Sequence, residues 1–318
     1  MATLFVFVDG VGAGVPDPDR NPLARGEFLL SRFEDGTGAP LPAGGRAVLA
    51  DATLGVPGRP QSATGQTAIL TGENAPALLG RHLLGFPNAT LRDLLRRRSL
   101  FRGLAEAGRS AAFANAYPVA YLRALGFEAD GEAEFEIDGR LGSRRARASA
   151  TTVAFAAGGG RFRTWPDARE GRGLTHDITG ERARARGYDV PVRAPEEAAE
   201  LLRALAAPHD LTVFEFFETD EAGHARSMER ALEALGRLDA LLRTLVAGLG
   251  PDDALVVASD HGNIEDLTTR NHTRAPVPVL GFGRAAAEVG AVRDLTHLAP
   301  LLAVLAGRAS LRTPARAG

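Results

Sequence analysis

"ALVVASDHGNIED", residues 254–266, is an apolar run of strand length that ends directly on a carboxylate and an imidazole, Asp260 and His261. The run shows no alternation of apolar and polar side chains, the pattern of a strand buried on both faces of a largely parallel sheet. A strand that ends this way delivers two strong metal ligands to the carboxyl edge of a sheet, where open α/β folds carry their chemistry.

Similar runs recur: "LFVFV" at 4–8, "SAAFANAY" at 110–117, "LTVFEFF" at 211–217 and "VPVLGF" at 277–282. Between 228 and 249 the apolar residues Leu232, Leu235, Leu238, Leu242, Leu245, Val246 and Leu249 follow a three-to-four spacing, which predicts a helix laid on a sheet. Strands alternating with helices predict an α/β fold with a largely parallel central sheet flanked by helices. From about 118 to 195 the texture changes to charged, glycine-rich and weakly periodic sequence. The expected organisation is therefore a catalytic core from 1–117 and 196–318 with a small inserted lid at 118–195. Arg161, Arg163, Trp165 and His176 are the lid's candidate substrate contacts, and a plain solvated surface is the expectation for them.

Composition excludes several classes. Among 318 residues, 37 basic and 39 acidic side chains leave a net charge of −2, which gives no global pull towards nucleic acid or an anionic membrane. There is no cysteine, so disulfides, thiolate metal sites and thiol nucleophiles are absent, and there is no lysine either. The opening "MATLFVFVDG" lacks a basic n-region and reads as a core strand, and no apolar run approaches the ~18 residues of a membrane span. The expected location is the cytoplasm.

Chemistry falls to Asp, His and Ser. The strand at 4–8 ends on Asp9; the strand at 211–217 leads to Asp220 and, four residues on, His224. An i,i+4 pair shares one face if that turn is helical, and so can hold one ion. His272 stands just before the run at 277–282. In "GRPQSATGQTAILTGENAP", residues 58–76, Ser62 fits the N-cap of a helix whose free N–H groups favour an anion. Ser62 is then either a cap alone or, beside a metal cluster, an activated nucleophile.

The ordered set "VDG", "PQSATGQTAILTG", "TDEAGH", "SDHGN" and "NHTRAPVPV" resembles the alkaline phosphatase superfamily, on the branch of cofactor-independent phosphoglycerate mutase and phosphopentomutase. "VRDLTHLAPLLAVLAG" resembles its closing helix. The resemblance implies an alkaline-phosphatase-like core and two divalent ions. Asp220, His224 and His272 match the ligands of one ion; Asp9, Asp260, His261 and Ser62 match those of the other. It implies phosphoryl transfer to and from Ser62 through a phosphoserine, with a small phosphorylated substrate. Three His and three Asp suit Mn or Zn better than Mg. Two departures bear on the reaction. The mutases tend to have His where this chain has Gln66, a candidate substrate contact, and the phosphoglycerate mutases use a lysine. The expectation is a phosphatase-like hydrolase, with a phosphomutase as the alternative and an inactive metal-binding module as a third reading. Sulfate or phosphonate ester cleavage fits the same cradle.

Overall fold

The computed structural model describes residues 2–129 and 146–307. The first strand, β1 (Thr3–Val8), is followed by β2 (Arg46–Ala50), then by α1 (Ser62–Thr71), α2 (Ala75–Leu79), α3 (Ala89–Arg98) and α4 (Leu100–Glu106). Next come β3 (Ala111–Phe113), β4 (Ala116–Tyr117), α5 (Val119–Ala124), α6 (Ala150–Ala157), β5 (Arg163–Thr164), α7 (Trp165–Arg169) and α8 (Glu181–Ala185). The remainder is α9 (Pro195–Ala206), β6 (Leu211–Phe216), α10 (Glu218–Ala225), α11 (Met228–Ala247), β7 (Ala254–Ser259), β8 (Val277–Gly283), α12 (Ala285–Glu288) and α13 (Leu298–Leu305).

Six strands form one sheet in the order β2-β8-β7-β1-β6-β3. Its centre is parallel, as the apolar runs predict: β1 pairs in parallel with β6 on one side and β7 on the other, and β6 with β3. The far edge is antiparallel, with β8 on β7 and β2 on β8. The run at 110–117 is not one strand. It divides into β3, in the main sheet, and β4, which pairs with β5 in a separate two-stranded ladder.

The central strands are buried along their whole length. Because side chains alternate across a strand, the sheet sorts them into two cores. Phe5, Phe7, Val213, Val256 and Ala258 face a layer built from α1, α4, α6 and α13. Leu4, Val6, Val8, Phe214, Leu255 and Val257 face α9 and α11, whose Leu202, Leu235, Leu238 and Leu242 form the other core. The three-to-four spacing at 228–249 is thus the buried stripe of α11.

Part of the expected lid lies in this frame. The apolar stretch "ATTVAFAA" forms α6, whose Phe155 packs edge-on to Phe101 at 5.2 Å and against Phe113 at 5.8 Å. Residues 130–145 lie outside the described residues. Among the described residues, no helix is long and apolar enough to cross a membrane.

Leu238 is fully buried at the centre of the α11 face. Leu238→Ala is expected to destabilise the fold by about 2–5 kcal/mol through lost transfer energy and a cavity, read as a lower urea midpoint.

Candidate metal centre

Register sets the site. Val8 of β1 pairs with Phe216 of β6 and with Ser259 of β7, so the three parallel strands end on one row. The next residues are Asp9, Phe217 and Asp260, and the α10 helix that follows β6 carries Asp220 and His224 one turn apart. The helical turn that the i,i+4 spacing required is present.

Two groups result. Asp220, His224 and His272 present ligand atoms within 4.8 Å of one another, and so do Asp9, Asp260 and His261. In the first group His224 Nε2 lies 3.2 Å from Asp220 Oδ2, and His272 Nε2 lies 3.5 Å from Asp220 Oδ1. In the second, His261 Nε2 is 3.2 Å from Asp9 Oδ1 and 3.5 Å from Asp260 Oδ2. The groups adjoin: the His261 and His272 rings stack at 3.7 Å with 15° between planes.

Ser62 completes the second group, with Oγ 3.0 Å from His261 Nε2. It is not the N-cap that its sequence context predicts. Gln61 holds the cap position without a side-chain cap bond, and Ser62 is the first residue of α1, its hydroxyl turned to the site. The close approach depends on Gly65, where an added Cβ would stand 2.8 Å from the Asp260 carbonyl oxygen. Gln66, one turn beyond Ser62, is buried and lines the same cavity.

The donor chemistry fits divalent cations. His224 Nδ1 lies 2.7 Å from the Arg270 carbonyl and His272 Nδ1 3.1 Å from that of Pro60, so each ring donates there and turns its Nε2 lone pair inward. Those two Nε2 atoms face each other at 3.3 Å, an arrangement that a shared cation relieves. In the other group Asp9 Oδ1 and Asp260 Oδ2 are buried without a hydrogen-bond partner. Such orphaned acceptors are costly unless a charge meets them.

The crowded groups also shift one another's titration. Burial, then the neighbouring Asp220 and Glu215 carboxylates, raise Asp9 well above the carboxylate range; burial and Asp9 do the same to Asp260. Burial opposes ionisation of Asp220 as well, but a hydrogen bond from His224 and the charge of His261 outweigh it and hold the carboxyl at about 2. The hydrogen bond to Asp220 lifts His224 to about 9, whereas burial and the neighbouring His261 lower His272 to about 4.

Supporting residues were not identified from sequence. Asn263 donates through Nδ2 to Asp220 Oδ1 at 2.6 Å. Glu265 accepts the backbone N–H groups of Gly12 at 2.9 Å and Asn263 at 2.7 Å, and also the Thr273 hydroxyl, tying the three loops at the sheet edge. Both lie in the stretch 254–266, Asn263 within the motif "SDHGN", and neither had been assigned a role. Trp165 and His176 were expected on a solvated surface. Instead they line a cavity of about 1050 Å³ that reaches Ser62 and Asp9.

Known proteins resemble this chain in part of its sequence and in its fold. The Metalloenzyme superfamily profile matches residues 150–307. A phosphopentomutase of Symbiobacterium thermophilum is 40% identical over 88 residues, 27% of this chain and 22% of that protein. One from Methylobacterium sp. (strain 4-46) is 34% identical over 143 residues, 45% of this chain and 34% of that protein. A 2,3-bisphosphoglycerate-independent phosphoglycerate mutase of Paracoccus denitrificans is 37% identical over 106 residues, 30% of this chain and 21% of that protein. These matches thus span between a fifth and about a third of the relatives' length. In fold, the chain superposes on the alkaline phosphatase of the Antarctic bacterium TAB5 with a TM-score of 0.54 at 13% identity, covering 97% of this chain and 98% of that one. The Thermus thermophilus alkaline phosphatase gives 0.54 at 13% identity, covering 96% and 91%. The chain thus has an alkaline-phosphatase-like fold, its second half resembles the Metalloenzyme superfamily, and phosphomutases are among the proteins whose sequences it resembles.

Two metal-binding outcomes are expected. Asp220→Asn and Asp260→Asn should each lower the bound divalent metal by about one ion per chain in elemental analysis, since each removes a charged oxygen ligand from one group. Chelation should lower the melting temperature of the wild type, reversibly on adding back Mn or Zn, because ligand binding to the folded state adds to its stability.

Proposed function

We propose that the chain is a metal-dependent phosphoryl-transfer enzyme that hydrolyses a small phosphate monoester through Ser62. The observation that carries this reading is the Ser62 hydroxyl at the first turn of α1, 3.0 Å from His261 Nε2 and beside a cradle of carboxylates and imidazoles. A pure metal-binding module has no use for a hydroxyl held there.

On this reading Asp220, His224 and His272 hold one divalent ion, and Asp9, Asp260, His261 and Ser62 the other. Bound there, two such ions supply the positive charge that ionises the Ser62 hydroxyl and neutralises the phosphoryl oxygens, and the nitrogen–oxygen donor set favours Mn or Zn. Ser62 Oγ attacks phosphorus as the ester P–O bond breaks, leaving a phosphoserine that water then cleaves. The N–H groups of the first turn of α1 face the transferred phosphoryl group, and Gln66 donates to one of its oxygens. The segment after α6, carrying Trp165, His176 and Tyr188, serves as the lid over the site.

A second cavity, about 810 Å³, opens on His224 and His272 and is lined by Arg59, Arg81, Arg270 and Arg274. All four are exposed, and none has an ion-pair partner among the described residues. They give the mouth a positive field that draws anionic substrates, although the chain as a whole is close to neutral.

A phosphomutase is the second reading, favoured by the names of the relatives. Gln66 and the lack of any lysine weigh against it, as does the short lid, because a mutase must keep water from its phosphoenzyme. Product analysis separates the two: a phosphatase releases inorganic phosphate in step with alcohol, whereas a mutase moves the phosphoryl group between hydroxyls of a sugar phosphate without release.

Ser62→Ala is expected to keep the fold and most of the metal while lowering kcat on p-nitrophenyl phosphate by several orders of magnitude, with Ser62→Thr milder. Retention of more than about a tenth of wild-type kcat by the alanine variant would return the reaction to metal-bound water. Raising ionic strength should lower kcat/KM, and Arg59→Gln combined with Arg274→Gln should reduce both kcat/KM and its salt dependence.

A further inference from the structure

The chain has three tyrosines and one tryptophan in 318 residues. Tyr117, Tyr121, Tyr188 and Trp165 all line the one cavity of about 1050 Å³ that also reaches Ser62 and Asp9. They come from three parts of the chain: Tyr117 and Tyr121 from β4 and the adjoining α5, Trp165 from the start of α7, and Tyr188 from the loop after α8. A core built of aromatics fills its own space at close packing, whereas these rings surround room for many waters, each of which takes about 30 Å³.

The rings form two groups, one of which is anchored in the core by Phe113, stacked on Tyr117 at 6.0 Å. Tyr117 and Tyr121 stack at 5.5 Å with 18° between planes, and the row continues through His176, 4.9 Å from Tyr117, to Phe217, 5.0 Å from His176. Trp165 and Tyr188 form a second pair at 3.9 Å. The polar tip of Tyr121 is used elsewhere, donating to the Arg147 carbonyl at 2.8 Å. Burial lowers His176 to about 4, so it is a neutral ring at physiological pH. Gln66 lies one turn from Ser62, and the Glu215 charge acts both on Asp9 and on the stacked tyrosines. Besides Asp9, Ser62, Gln66 and Glu215, only Ser149 and Arg186 add charged, amide or aliphatic hydroxyl side chains to the lining, the rest of which is aromatic or apolar.

We propose that this chamber holds the leaving group of the substrate, and that the substrate is a phosphate monoester of an alcohol bearing an aromatic ring rather than of a polyol. A polyol needs several donors and acceptors around it, whereas most of this lining, from Phe86, Tyr121, Trp165, Tyr188 and Phe217, is aromatic. A planar apolar group gains by burial against them and by offset or edge-on ring contacts. The proposal rests on Ser62 being the nucleophile only for its rate consequence; occupancy of the chamber is separable from turnover.

The single tryptophan makes that separation practical, because intrinsic tryptophan fluorescence reports on Trp165 alone. Titration of the wild-type protein with 2-phenylethanol is expected to give a saturable change, and glycerol at the same concentrations none. In parallel, 2-phenylethyl phosphate and glycerol 1-phosphate, both primary alkyl esters with comparable intrinsic reactivity, are compared for kcat/KM. Burial of a phenyl group predicts a preference of about tenfold to a hundredfold for the former. Tyr121→Leu, checked for folding by circular dichroism, should shrink that ratio. Equal fluorescence responses to the two alcohols, or a preference for glycerol 1-phosphate, would overturn the proposal. A saturable response to 2-phenylethanol with neither ester hydrolysed would support the chamber while sinking the phosphatase reading; hydrolysis of both esters at equal kcat/KM would do the reverse.

Discussion

The structure turns on the parallel triplet β6-β1-β7, whose shared register ends three strands on one row and crowds Asp9, Asp220 and Asp260 into a space partly closed to water. Like charges so placed repel, and burial penalises each of them further. Asp9 and Asp260 are driven towards protonation, and each leaves a carboxylate oxygen without a partner. Few arrangements make that tolerable except positive charge between the carboxylates, with His224, His261 and His272 turned inward beside them. The cost of holding the cluster together falls on its surroundings: Asn263 fixes Asp220, and Glu265 gathers the loops after β1 and β7.

The same constraint reaches α1. A helix that must bring a hydroxyl to the end of β7 has no room for side chains on that face, and its first turn is correspondingly built from small residues, with Gly65 against the Asp260 carbonyl. Its threonines turn their hydroxyls to carbonyls of the preceding turn, Thr67 to Ala63 at 2.6 Å and Thr71 to Thr67 at 2.7 Å, so a helix buried on every side leaves these groups satisfied. α1 is therefore both a core element and the carrier of Ser62. Displacement of one function disturbs the other.

Two cavities of opposite character flank the centre. Arginines with no ion-pair partner among the described residues line the side next to His224 and His272, and aromatic rings line the side next to Ser62. On the proposed reading, an anionic head group is drawn from one side while an apolar alcohol is held on the other. The field of the charged side is strongest where solvent is least able to screen it.

Much of this was legible in residue order. Unalternating apolar runs announced doubly buried strands, and a carboxylate at or just beyond the end of three of them announced the site edge, because strand periodicity and chain direction are local properties. The i,i+4 spacing of Asp220 and His224 needed only a helical turn, which α10 provides. Other features were decided by tertiary contacts. Ser62 looked like a cap because local sequence shows the hydroxyl and the helix start but not His261, 199 residues away. The split of residues 110–117 into strands of two sheets depends on which strands lie beside them. Helix α6 was hidden within charged flanks, and its place became clear only where Phe155 met Phe101 and Phe113. Tyr117, Tyr121, Trp165 and Tyr188 are scattered singly along the chain and carry no periodic signal. Only the folded chain gathers them around one space, because a cavity is defined by surfaces from distant segments and not by any one of them.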